Sequence, residues 1–305
     1  MSHSHSHSHD HNSEGNHNKA FAVGVSLNLV FVFIEAFYGI ASNSLALLAD
    51  AGHNLSDVLA LLLAWTASLL ASRGPTEKRT YGFKKTTIFA SLASAIMLLT
   101  ALGGIAFESF GRFSDPRPPD GVTVIVVAAV GVVVNTATAL LFVSGKKHDL
   151  NIKAAFFHMA ADAGVSLGVV AAGAGMIMTG ALWLDPVISL LIAAVILFGT
   201  WGLLRDSFNL LMDAVPRHID AAGIKGYLSG IRDVLGVHDL HIWALSATET
   251  ALTAHLVTAN PQIDNELLWE AQRRLRDDFG VKHATLQVEK EDPQTRCMLN
   301  PRDCR

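Results

Sequence analysis

The sequence predicts an α-helical membrane protein with six transmembrane helices and a small C-terminal α/β domain, and three observations carry that prediction. Half of the 305 residues are hydrophobic and only 16% are charged, with a mean hydropathy of +0.36, too apolar a balance for an ordinary soluble domain. Six apolar stretches each approach the ~20 residues that an α-helix needs to cross a bilayer core. Beyond the sixth stretch the composition changes, and helical and alternating patterns return in the order α-β-β-α-β.

Residues 1–19 alternate His and Ser, with six His among the first 17 residues, and lack the apolar run of a signal peptide. They are expected to be disordered. The interleaving with Ser and the ending Asp10-His11 read as a metal-loading tail rather than a run of consecutive purification-tag histidines. The six spans are placed at 20–41, 45–71, 86–110, 122–143, 152–179 and 186–204, within a transmembrane domain of residues 20–207. Arg73, Lys78, Arg79, Lys84 and Lys85 lie between the second and third spans, and Lys146, Lys147 and Lys153 between the fourth and fifth. The opposite connections carry little net positive charge, so these basic loops face the cytoplasm and both termini lie inside.

Residues 208–291 form the predicted soluble domain. Helical spacing covers 219–234, strand-like alternation covers 237–245 and 250–259, the amphipathic run DNELLWEAQRRLRDDF covers 264–279, and a last strand covers 283–289. So thin a core favours dimerisation through this unit. Residues 292–305 form a tail that carries both cysteines, Cys297 and Cys304, which leaves no disulfide framework. A net charge of −4 offers no basis for nucleic-acid binding.

The chemistry is concentrated in two motifs. The second span contains His53-x-x-x-Asp57 and the fifth His158-x-x-x-Asp162. Positions i and i+4 share one helical face, so each pair can direct two ligands at one point. Two imidazoles and two carboxylates are the complement of a closed tetrahedral zinc site. Both motifs fall roughly 10–17 Å from a helix end at 1.5 Å per residue, near mid-membrane. An ionised Asp there costs at least about 2.5–3.5 kcal/mol, which makes it a functional residue by default. Interhelical hydrogen bonding explains a single such pair; two identical pairs argue for a metal. For Asn28, Glu35, Asp50, Asn135 and Asp185, helix capping or locking is the simpler reading, with lining of an ion path as the alternative.

Six separated motifs, SNSLALLADAGHNLSD, TEKRTYGF, HMAADAGVSLG, LDPVISL, LLMDAVP and HDLHIWALS, resemble in order those of the cation diffusion facilitator family, in its zinc-transporting branch. The resemblance spans residues 20–289. It implies a homodimer of six-helix protomers that exchange cytoplasmic Zn²⁺ for protons, with a ferredoxin-like cytoplasmic domain. The transport site would be His53, Asp57, His158 and Asp162, and a His at the first motif position is associated with zinc, although Cd²⁺ or Co²⁺ could still pass. His238, His255 and Glu289 match the places of a second, weaker cytoplasmic site; Gln287, where relatives place a ligand, is a poor one. His241 and His283 read as surface or strand histidines. Cys297 and Cys304 resemble cysteines that in some relatives complete a cytoplasmic zinc site with N-terminal histidines. Lys85 and Asp213 fit a lock between the third and sixth helices. Some relatives carry a His in the loop between the second and third helices; residues 72–85 have none, so no metal site is expected there.

Two other classes compete. A metalloenzyme would want an open metal position and a general base, but there is no H-E-x-x-H. A zinc-responsive sensor without transport would not need ligands at mid-membrane. The chain also lacks a G-x-x-x-x-G-K-[ST] phosphate loop, as suits a proton-driven transporter that needs no ATP. The compactness and short loops suggest a bacterial inner membrane, with a eukaryotic organelle or plasma membrane as the alternative.

Overall fold

A computed structural model describes residues 11–142, 150–259 and 265–290. Its elements are α1 (His11–Ala41), α2 (Leu45–Ala71), α3 (Thr86–Ser114), α4 (Gly121–Phe142), α5 (Leu150–Thr179), α6 (Leu184–Leu211), α7 (Ala221–Ser229), β1 (Val234–Ala244), β2 (Thr250–Thr258), α8 (Asn265–Asp277) and β3 (Val281–Lys290). Among the described residues, α2 to α6 are long and apolar enough to cross a membrane, and Ser26–Ala41 is a shorter apolar run within α1. Six apolar helices thus precede a three-stranded α/β unit, as the composition predicts.

Several helices outrun their apolar stretches. α1 begins at His11, inside the segment expected to be disordered; once an apolar helix exists, each further residue adds a hydrogen bond without a new nucleation cost. Residues 1–10 lie outside the described set, as do Cys297 and Cys304. α6 continues to Leu211 because its stop signal is conformational: Asp213 takes a left-handed φ of 56° and the Ala214 amide reaches back to the Asn209 carbonyl, a Schellman-type ending. Asn43, also at φ 56°, ends α1 in the same way, with Ser44 N–H donating to Gly39 O.

The chain divides into two compact units, residues 1–61 with 94–201 and residues 62–93 with 202–305. The first is built on a core that includes Phe31, Leu47, Leu98, Val124, Val169 and Ile192. α4 packs against both α1 and α5, and glycines set how closely. A Cβ on Gly131 would sit 2.8 Å from the Phe31 ring and 3.0 Å from Ser166 Oγ, and one on Gly173 2.8 Å from Ile125. Small residues are what allow membrane helices this approach. Large apolar side chains such as Phe107, Met178 and Phe198, each more than four-fifths exposed, suit contact with lipid chains rather than water.

In the second unit β1 pairs antiparallel with β2 and β2 pairs parallel with β3, in the order β1-β2-β3. Parallel pairing requires a crossover, which α8 supplies. α7 packs on β1 and α8 on β3, covering one sheet face with Ile224, Leu228, Leu252, Leu256 and Leu275. α7 is shorter than the helical spacing over 219–234 predicts. Asp220 caps its start by accepting from Gly223 N–H, Gly230 caps its end, and Asp233 turns through φ 67° into a strand that already starts at Val234. Strand alternation leaves Thr253, His255 and Val257 on the sheet face opposite the core. The loop before α3 lies against this domain: Lys84 pairs with Glu249 at 2.5 Å, and Tyr81 meets the His283 ring edge-on at 5.4 Å.

Candidate metal centres

α2 and α5 bring the two His-x-x-x-Asp motifs against each other in the first unit. His158 Nε2 lies 2.9 Å from Asp57 Oδ2 and 3.6 Å from Asp162 Oδ2, while His53 Nε2 lies 3.6 Å from both Asp57 Oδ2 and Asp162 Oδ1. Zinc bonds to N and O of about 2.0–2.1 Å imply ligand-to-ligand edges of about 3.3 Å in a tetrahedron. All four nitrogen-to-oxygen separations lie within a few tenths of an ångström of that edge. The imidazole rings meet edge-on, 5.8 Å apart. Within this group His53, His158 and Asp162 each offer a ligand atom within 4.8 Å of the others, a set that does not include Asp57, which reaches the two imidazoles.

The surroundings suit a cation. Asp162 is buried, with 3% of its side chain exposed, whereas His158 is 42% exposed; the group is sealed on one side and accessible on the other. His53 Nδ1 and Asp162 Oδ2 are buried without a hydrogen-bond partner. A buried carboxylate oxygen lacking a donor is costly for a purely structural residue, and a dication offsets that cost.

Other buried polar residues sort differently. Asp185 accepts hydrogen bonds from Ser44 Oγ (2.6 Å) and from the Leu45 and Ala46 amides (2.9 and 3.3 Å), and it pairs with Arg112 at 3.4 Å. It caps α2 from the start of α6, which is the locking role. Arg112 also holds Asn43 through its carbonyl and side-chain oxygens; its position at a helix end hid this from sequence reading. Asn28 donates to the Met159 sulfur at 3.0 Å. Glu35 and Asp50, 0% and 1% exposed, both receive the Asn54 side-chain amide, at 3.5 and 3.4 Å, and Ser166 donates to Asp50 at 2.9 Å. Sequence reading passed over Asn54 and Ser166; Ser166 stands four residues beyond Asp162, and that spacing was the available signal.

A second group forms on the open sheet face. His238 pairs with His255 across β1 and β2, and Glu289 reaches both: its Oε2 lies 3.0 Å from His238 Nε2 and its Oε1 2.8 Å from His255 Nδ1. All three offer ligand atoms within 4.8 Å of one another. Gln287 does not join as a ligand; its amide donates to Glu289 Oε1 at 2.9 Å. His255 Nδ1 is buried beside Glu289 without an aligned hydrogen bond, and two imidazoles that converge on one carboxylate fit a metal ion. His241 is exposed and bonded to Asp239 at 2.7 Å, and Lys85 meets Asp213 at 2.8 Å with both side chains partly exposed.

These features define a class: a multi-pass membrane protein with a His/Asp cluster between its helices and a small α/β domain at its C-terminal end. The cation efflux transmembrane domain matches residues 21–212 and the cation efflux protein cytoplasmic domain residues 216–291. The chain belongs to the cation efflux family, a family of cation transporters. It is 34% identical over 258 residues to the metal cation efflux system protein CzcD of Cupriavidus metallidurans, covering 84% of this chain and 81% of that one. It is 35% identical to the zinc transporter ZitB of Escherichia coli, with 84% and 82% covered. It is 33% identical to the cadmium, cobalt and zinc/H(+)-K(+) antiporter of Bacillus subtilis, with 85% and 84% covered. Among solved structures, the metal-bound C-terminal domain of the Cupriavidus CzcD transporter matches at 34% identity over 23% of this chain and 99% of that one, with a TM-score of 0.21.

Proposed function

We propose that the chain is a proton-coupled zinc efflux transporter that moves Zn²⁺, with Cd²⁺ or Co²⁺ as further cargo, out of the cytoplasm through His53, Asp57, His158 and Asp162. The observation that carries this reading is the set of four nitrogen-to-oxygen edges of 2.9–3.6 Å between those residues, two of them between motifs on different helices. The relatives named as zinc transporters and antiporters support it.

The mechanism follows from the ligands. Zinc needs neutral imidazole and ionised carboxylate, so protons and metal compete for the same four side chains. Rising pH on the loading side favours zinc, and falling pH on the release side favours protons. Alternating access then makes one exchange drive the other, because the helices need only differ in affinity between their two positions. No catalytic chemistry is assigned. The protein works as a homodimer joined through its α/β domains, in a bacterial inner membrane with both termini in the cytoplasm, and His238, His255 and Glu289 hold a further zinc ion there.

The test is zinc uptake by proteoliposomes under an imposed proton gradient. Uptake that follows the gradient and stops when an ionophore collapses it supports the antiporter. Uptake indifferent to the gradient, or no uptake by a folded protein, refutes it.

A further inference from the structure

His255 faces two carboxylates, one on each ring nitrogen. Nδ1 lies 2.8 Å from Glu289 Oε1, and Nε2 lies 3.4 Å from Asp239 Oδ2. A neutral imidazole offers a metal only one lone pair; its other nitrogen carries a hydrogen that needs an acceptor, and a carboxylate in that place fixes the ring and its tautomer. Nδ1 has no aligned hydrogen-bond partner and is on the side where Glu289 and His238 converge. Nε2 is turned toward Asp239.

Asp239 reaches this position by a local departure from strand geometry. In a regular strand, residues 238 and 239 would point to opposite faces of the sheet. The β1–β2 register shifts between His238 and His241, and Asp239 adopts a left-handed φ of 50°. A bulge of this kind re-aims a side chain, here toward the face that carries His255. His241 Nε2 bonds the Oδ1 oxygen at 2.7 Å, leaving Oδ2 for His255. A left-handed non-glycine residue is uncommon, and such strain collects where function holds it in place.

We infer that Asp239 is a positioning residue of the cytoplasmic metal centre, accepting the His255 Nε2 hydrogen so that Nδ1 is presented to the ion beside His238 and Glu289. This rests on reading that cluster as a zinc site. Asp239 is not among the three residues whose ligand atoms converge. Gln287, which donates to Glu289, is its counterpart on the carboxylate ligand.

The test uses the full chain carrying Asp162→Asn, so that the membrane site contributes little, and measures zinc affinity by competition with a chelating dye. Subtracting the same titration of a His255→Ala chain removes binding by the N-terminal histidines. Asp239→Gly is the informative variant: glycine suits the left-handed backbone, so the bulge survives while the carboxylate is lost. Affinity should fall about 10- to 100-fold, the usual effect of removing a carboxylate behind a metal-bound histidine, and the cobalt-loaded absorption spectrum should change. Asp239→Asn, which keeps an acceptor and tolerates the same backbone, should restore most of the affinity. If Asp239→Gly binds zinc within twofold of its parent while His255→Ala removes a site, the positioning role is wrong. If His255→Ala removes nothing, the zinc-site reading itself fails.

Discussion

Replacing Asp162 with Asn changes one carboxylate oxygen to an amide of nearly the same shape, and its consequences can be worked through from the geometry. Asp162 lies 3.6 Å from each imidazole, so it supplies two of the four nitrogen-to-oxygen edges around the proposed ion. Four-ligand structural zinc sites bind with about 10–16 kcal/mol; divided evenly, each ligand contributes about 2.5–4 kcal/mol. A neutral amide oxygen keeps part of that contact, so about 2–3 kcal/mol is lost, which is about 30- to 150-fold in affinity at 1.4 kcal/mol per tenfold. The half-saturating zinc concentration for proteoliposome uptake at a fixed pH gradient should rise by that factor. In the absence of metal the sign reverses: Asp162 Oδ2 is buried without a donor, so removing the charge should leave the melting temperature unchanged or higher. Added zinc should then stabilise the variant less than the parent, because ligand stabilisation grows with the logarithm of the ratio of ligand concentration to dissociation constant. A half-saturation within threefold of the parent, with full zinc-induced stabilisation, refutes the assignment of Asp162 as a ligand.

Other predictions concern the scaffold. Gly131→Ala places a Cβ 2.8 Å from the Phe31 ring and 3.0 Å from Ser166 Oγ; overpacking should cost about 1–3 kcal/mol, read as a lower melting temperature in detergent, and Phe31→Leu should recover part of it. Asp185→Ala leaves Arg112, 7% exposed, without its buried carboxylate and uncaps α2, a loss of about 3–5 kcal/mol by thermal or denaturant unfolding; Asp185→Asn, which still accepts hydrogen bonds, should cost less. Lys85→Ala breaks a pair whose side chains are 41% and 57% exposed, so stability should change by no more than about 1 kcal/mol and the effect should vanish in high salt.

Much of this arrangement was legible beforehand. Apolar stretches of membrane-spanning length place the six helices, since a span must satisfy its backbone internally whatever its neighbours do. The four-residue spacing of His53 with Asp57 and of His158 with Asp162 puts each pair on one face, because helical periodicity is local. The α-β-β-α-β order of the second unit follows in the same way from period and punctuation. Element ends were less legible. Left-handed Asn43, Asp213 and Asp233 set three of them, and asparagine and aspartate tolerate that conformation without requiring it.

What the sequence alone determined, then, is everything carried by residues within about one helical turn or one strand period of each other: spans, motif faces and candidate ligands. Tertiary structure decided which of these meet. It pairs His158 with Asp57 of another helix at 2.9 Å, closer than Asp162 of its own motif at 3.6 Å. It turns Asp185 into the cap of a helix 140 residues earlier in the chain, and it swings Asp239 through a bulge toward His255. The physical reason is that side-chain contacts depend on how helices and strands approach one another, and that approach is set by packing at residues such as Gly131 and Gly173, whose small size has no periodic signature.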